Sequence, residues 1–134
     1  PACEDPDLPK CSNESIVNAY DNAIRYTDHV VASLVRTLRE HEAHDSALLY
    51  VSDHGESLGE KGLYLHGMPY AMAPREQTHV PMILWTPQTD RAACLTAKRQ
   101  QPVSHDDIFH TVMGWVGARA DVYKAEWDLL ATCP

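Results

Sequence analysis

The chain has 134 residues, 44% of them hydrophobic and 22% charged, which is the composition of one globular domain able to bury a core. Its formal net charge of −8 speaks against a nucleic-acid surface, since phosphate binding needs clustered Lys and Arg. The one basic pair, Lys98-Arg99, reads as part of a solvated face. No apolar run approaches the length of a membrane-spanning helix, and the first residue is Pro1 rather than Met, so the chain is expected to be a piece of a longer protein.

Four cysteines, Cys3, Cys11, Cys94 and Cys133, allow three pairings. No C-x-x-C spacing suggests a cysteine zinc site, so disulfides and an oxidising compartment are expected. Cys3 and Cys11 flank a polar, Pro- and Asp-rich stretch that a bridge would staple. On the chain-entropy model that bridge contributes about 2.5 kcal/mol, and a Cys94–Cys133 bridge about 4 kcal/mol.

In chain order, Ser12 offers a helix cap and Glu14 an acid in the first turn. Ile16, Tyr20, Ala23, Ile24, Val30, Val31, Leu34, Val35 and Leu38 then recur at helical spacing, predicting one long amphipathic helix to about Glu42. His41-Glu42-Ala43-His44 reads as its polar exit turn. The continuous apolar run 47–51 predicts a strand covered on both faces. It stops at Ser52-Asp53-His54-Gly55, and residues 54–78 show no periodicity, which predicts a long functional loop. Glu60 and Lys61 look like its charged tip. Residues 80–85 predict a second strand, with Pro81 pushing it to an edge or a strand start. Ser104 to Asp107 resembles a capping box before a helix with Ile108, Phe109, Val112, Met113 and Val116 on its apolar face, closed by Gly117. The last stretch, with Tyr123, Trp127, Leu129 and Leu130, is expected to dock on the core. This order of elements says α/β.

Ligands in open α/β sheets gather beyond the carboxyl ends of strands, which is where Asp53 and His54 fall. Carboxylate and imidazole are both good zinc ligands, and a turn at Gly55 would bring the two side chains to one ion. Glu56 and His66 add a second carboxylate and a second imidazole. His29, His79, His105 and His110 read as cap or surface histidines.

The runs Tyr50 to Glu60 (YVSDHGESLGE), Tyr64 to Tyr70 (YLHGMPY) and Ala73 to Gln77 (APREQ), with Asn18 to Ala23 and Cys3…Cys11 upstream, resemble the lipid A phosphoethanolamine transferases. These form a group of the alkaline phosphatase and sulfatase superfamily that includes the plasmid-borne colistin-resistance enzymes. The resemblance is dense from Cys3 to about Trp85 and looser over Ser104 to Val116. It implies an alkaline-phosphatase-like sheet flanked by helices, of which residues 1–134 would be the C-terminal part. A nucleophile-bearing half and an N-terminal membrane domain would lie outside the chain, which alone is then expected to be inactive. It further implies a periplasmic enzyme on the bacterial inner membrane that moves phosphoethanolamine from phosphatidylethanolamine to a lipid A phosphate through a threonine intermediate, conferring polymyxin resistance. Asp53 and His54 match zinc ligands, His66 a phosphate contact or ligand of a second zinc, and Glu56 a pocket carboxylate facing phosphate or ethanolamine. Cys3–Cys11 matches a disulfide of that family. Cys94–Cys133 is the companion expectation, for which the resemblance supplies no counterpart. A sulfatase, phosphodiesterase or phosphoglycerol transferase shares the Asp-His block and is the nearest alternative, followed by a non-catalytic metal-binding module.

Overall fold

A computed structural model describes residues 2–41 and 45–134. The expected exit turn at Glu42–His44 therefore lies outside the described residues. The chain divides into two compact units, residues 1–84 and 85–134.

The first unit opens with a short 3-10 turn, Leu8–Lys10, inside the loop closed by the Cys3–Cys11 disulfide. Helix α1, Asn13–Glu40, starts where the sequence places it: the Ser12 hydroxyl accepts a hydrogen bond from the Ser15 N–H at 3.2 Å. The helix carries its apolar stripe, but burial along it is uneven, with Val31, Val35 and Leu38 half-buried. Ile16 is buried, whereas Ile24, Val30 and Leu34 are exposed. The reason is reach, because the strands that α1 contacts, β1 and β2, are short.

Strand β1, Leu48–Val51, pairs with β4, Met82–Trp85. Pro81 stands just outside β4, and its carbonyl accepts from the Ser52 N–H, so it marks a strand start as expected. All four β1 residues are half-buried. The full cover read from the apolar run is not present among the described residues.

The segment predicted as one loop is in fact subdivided. Strands β2, Ser57–Leu58, and β3, Tyr64–Leu65, form an antiparallel pair, with Ser57 opposite Leu65 and Leu58 opposite Tyr64. Their turn bends through positive φ at Gly59, Lys61 and Gly62. Helix α2, Arg75–Thr78, follows. Strands of two residues leave no alternation to detect, which is why the sequence shows none.

In the second unit, helix α3, Thr89–Lys98, is an element that the sequence reading does not include; its apolar residues are mostly alanines. Helix α4, Asp106–Trp115, starts with a variant of the capping box: the Asp107 carboxylate accepts from the Ser104 N–H at 2.6 Å, and the Ser104 hydroxyl accepts from the Asp106 N–H. It ends at Gly117, φ +64°, in a Schellman arrangement with Gly117 N–H on the Gly114 carbonyl and Ala118 N–H on that of Met113.

The C-terminal segment docks as expected. Leu130 is buried, and the fully buried Thr111 hydroxyl accepts from the Leu129 N–H while donating to the Asp107 carbonyl. Cys133 is bonded to Cys94. Two sequence readings are corrected here. Lys98 is not a solvated charge: its ammonium donates to the Leu129 carbonyl and the Thr132 hydroxyl. His110 is not a surface histidine: it is buried among Phe109, Tyr123 and Trp127, and its Nδ1 accepts from the Lys124 N–H. The Lys124 backbone donor thus satisfies its Nδ1 inside an aromatic neighbourhood.

Candidate metal centre

The site is built where β1 ends. Residues 52–55 are tied down by two local side chains and by a backbone bond to Gln77. The Ser52 hydroxyl donates to the His54 carbonyl at 2.8 Å, the Asp53 carboxylate accepts from the His54 N–H at 3.0 Å, and the Gly55 N–H donates to the Gln77 carbonyl at 2.9 Å. Gly55 is required for a reason other than the turn expected of it. Its φ is not positive, but a Cβ there would overlap the Glu76 carbonyl oxygen. The glycine lets strand end and α2 touch.

His54, Glu56 and His66 converge, with one potential ligand atom of each within 4.8 Å of the others. The two imidazole rings stack at 3.7 Å between centroids. Glu56 stands on the residue before β2 and His66 on the residue after β3, so the pairing of Ser57 with Leu65 is what sets them opposite each other.

The hydrogen bonds decide which nitrogen each ring offers. His54 Nδ1 lies 2.9 Å from the Gly55 carbonyl, which can only accept, so Nδ1 carries the proton. His66 Nδ1 lies 3.0 Å from Glu56 Oε2 and likewise donates. In its neutral form each ring then keeps its lone pair on Nε2. A carbonyl or carboxylate behind Nδ1 with Nε2 free is the arrangement metal-binding histidines adopt.

Asp53 stays at the rim. Its side chain is 90% exposed, and Oδ2 lies 3.8 Å from His54 Nε2. Two ligands of one tetrahedral zinc stand about 3.4 Å apart, so this pair needs little movement to share an ion. Asp53 is outside the His54, Glu56, His66 cluster, so the structure brings together three of the four expected residues and sets the fourth beside His54 alone.

The donor set fits a divalent cation on one further observation. Glu56 Oε1 is buried yet has no hydrogen-bond partner among the described residues. A buried carboxylate oxygen is rarely left bare, and a cation or a donor from a ligand would satisfy it. The same carboxylate is felt by Tyr20 on α1, whose hydroxyl pKa is raised, first by burial and then by the charge of Glu56.

Two side chains of this region escaped the sequence reading. Tyr20 was visible there as a member of the α1 stripe and of the Asn18 to Ala23 run, with no role at the site. Gln77, buried beneath the site, makes contacts that become evident only once 57 and 65 are paired.

A family model described as Sulfatase matches residues 1–118. Phosphoethanolamine transferase EptA from Escherichia coli is 40% identical over 99% of the chain, and phosphatidylethanolamine transferase Mcr-1, also from Escherichia coli, is 46% identical over 92%. The chain spans about a quarter of the length of these relatives, 26% and 23%. The crystal structure of the C-terminal periplasmic domain of phosphoethanolamine transferase EptC from Campylobacter jejuni superposes with a TM-score of 0.93 at 42% identity, covering 97% of this chain and 42% of that one. The expected mixed helix-and-sheet fold is thus that of a known periplasmic domain. By its sequence from residue 1 to 118, the chain belongs to the sulfatase family, and its relatives named above are phosphoethanolamine transferases.

Proposed function

We propose that this chain supplies the metal-binding part of the catalytic domain of a phosphoethanolamine transferase on the periplasmic face of a bacterial inner membrane. The donor in this reading is phosphatidylethanolamine and the acceptor a lipid A phosphate; an added ammonium would lower the negative charge that polymyxins seek. The observation that carries it is the convergence of His54, Glu56 and His66, with one potential ligand atom of each within 4.8 Å of the others, on a carboxylate that keeps a buried oxygen without a partner among the described residues. The relatives' shared description as transferases of this headgroup favours it over the other chemistries of the superfamily.

Asp53 and His54 would hold zinc, the ion suited to mixed carboxylate and imidazole ligands. When bound, zinc supplies the positive charge that lowers the pKa of an attacking hydroxyl and stabilises the non-bridging phosphate oxygens. Glu56 accepts from the His66 Nδ1–H, which would leave Nε2 of the ring to meet the phosphate. In the full transferase the phosphorus–oxygen bond to diacylglycerol breaks as one to a threonine oxygen forms. A lipid A phosphate oxygen then displaces that threonine. No threonine of residues 1–134 is assigned this role.

The test is headgroup transfer from a fluorescent phosphatidylethanolamine by the full-length protein, with zinc content measured alongside. His54→Ala is expected to lower transfer by roughly 10²–10³-fold, the loss typical when a group stabilising transition-state charge is removed, and to lower bound zinc with it. Unchanged transfer in that variant would overturn the mechanism.

A further inference from the structure

We propose that Gln77 is a positioning residue for the metal centre, fixing the spacing between the segment that carries His54 and Glu56 and the segment that carries His66. The inference rests on the reading of these residues as a metal site. Gln77 belongs to the four-residue helix α2 and is only 6% exposed. Its carboxamide nitrogen donates to the Ser57 hydroxyl at 2.9 Å and to the Leu65 carbonyl at 3.1 Å, using both protons. Its carboxamide oxygen accepts from the Met68 N–H at 3.4 Å, and its backbone carbonyl accepts from the Gly55 N–H at 2.9 Å.

These four bonds land beside every histidine and carboxylate of the cluster. Gly55 lies between His54 and Glu56, Ser57 follows Glu56, Leu65 precedes His66, and Met68 lies two residues beyond it. Gln77 itself touches none of the ligand atoms. Its partner Ser57 is 1% exposed, so the bond is shielded from water and a lost partner would not be replaced cheaply. Leu65 is held at φ +63°, a conformation that is unfavourable for a non-glycine residue and persists only where its surroundings impose it. The Gln77 amide grips the carbonyl of that very residue, the peptide from which His66 projects. Only a side chain with two donors and an acceptor on one planar group can make these three side-chain bonds at once. Glutamate lacks the donors, and methionine has the length but none of the bonds.

The experiment compares the full chain with Gln77→Met and Gln77→Glu by cobalt(II) titration, reading affinity and the visible spectrum of the saturated site. Imidazole 15N NMR of the metal-free protein is recorded in parallel. Both variants are expected to bind cobalt about 10–100-fold more weakly, the usual cost of removing a group behind the ligands, with altered visible bands and displaced His54 and His66 signals. Wild-type affinity and spectrum in Gln77→Met would overturn the proposal, as would weaker binding with unaltered bands and unmoved imidazole signals, which is what a merely structural loss produces. Should these variants fail to fold, Ser57→Ala removes one acceptor only. It is expected to weaken binding about 2–10-fold, and an unchanged affinity there counts against the proposal. Failure of the underlying site reading looks different: cobalt binding in the wild type would be absent, or would survive His54→Ala. In the metal-free protein the imidazole signals still decide the positioning role.

Discussion

At the scale of single residues, the site and the C-terminal segment rest on carboxylates that accept from defined donors. Glu56 accepts from His66, and Asp128 accepts from the Tyr123 hydroxyl at 2.7 Å and from the Leu130 N–H at 2.8 Å. The bond to Asp128 is the first cause of a raised Tyr123 pKa. The sign follows directly. Neutral tyrosine donates to the carboxylate, whereas tyrosinate would lose the donor and repel it, so the folded protein holds this proton more firmly than the unfolded chain does. The associated stability is fully present below the ordinary tyrosine range near pH 10 and is lost as pH rises through the raised value. Tyr123→Phe should therefore be less stable than the parent at neutral pH and show a smaller further loss between neutral and strongly alkaline pH. Chemical denaturation at several pH values, with the Tyr123 absorbance change as a site reporter, checks this. Parallel pH profiles would contradict it.

At the scale of elements, helix ends carry much of the information. The Schellman closure of α4 places Gly117 at φ +64°, where a Cβ is strained whatever space surrounds it. Gly117→Ala should cost about 1–2 kcal/mol, read as a shift of the denaturation midpoint at constant m-value; no shift would mean that the turn relaxes freely. Both ends of α4 and the start of α1 could be read from the chain because capping is local chemistry: Ser12, Ser104, Asp107 and Gly117 act within a few residues of themselves. Strand β1 was visible as an apolar run and β4 through Pro81. The pair β2 and β3 was not, since two-residue strands have no period and Ser57 meets Leu65 only through a turn at three positive-φ residues. Helix α3 escaped because few of its residues are strongly apolar. The site divides in the same way. Asp53 and His54 announce themselves by following a strand, and Glu56 and His66 through a resemblance in the surrounding motif. The bonds of Gln77 depend on residues 20 and 12 positions away in sequence, which no local pattern contains.

At the scale of the whole molecule, the two disulfides do unequal work. Cys3–Cys11 closes a separation of 8 residues and Cys94–Cys133 one of 39. The longer bridge restricts the unfolded chain more, so Cys94→Ser with Cys133→Ser should cost about 4 kcal/mol and Cys3→Ser with Cys11→Ser about 2.5 kcal/mol. Equilibrium unfolding of the two double variants under non-reducing conditions tests the order. A greater loss from the shorter bridge would show that its native contacts, such as the Cys3 N–H on the Ser15 carbonyl, outweigh chain entropy.

The uncovered stripe of α1 also governs how molecules of this chain meet one another. A net charge of −8 keeps neighbours apart, while Ile24, Val30 and Leu34 give them a reason to stick on contact. Added electrolyte shortens the reach of the repulsion and leaves the oily contact untouched. Exposed apolar residues of α1 should then contribute to colloidal behaviour, with dilute buffers keeping the chain dispersed and strong brine driving it together.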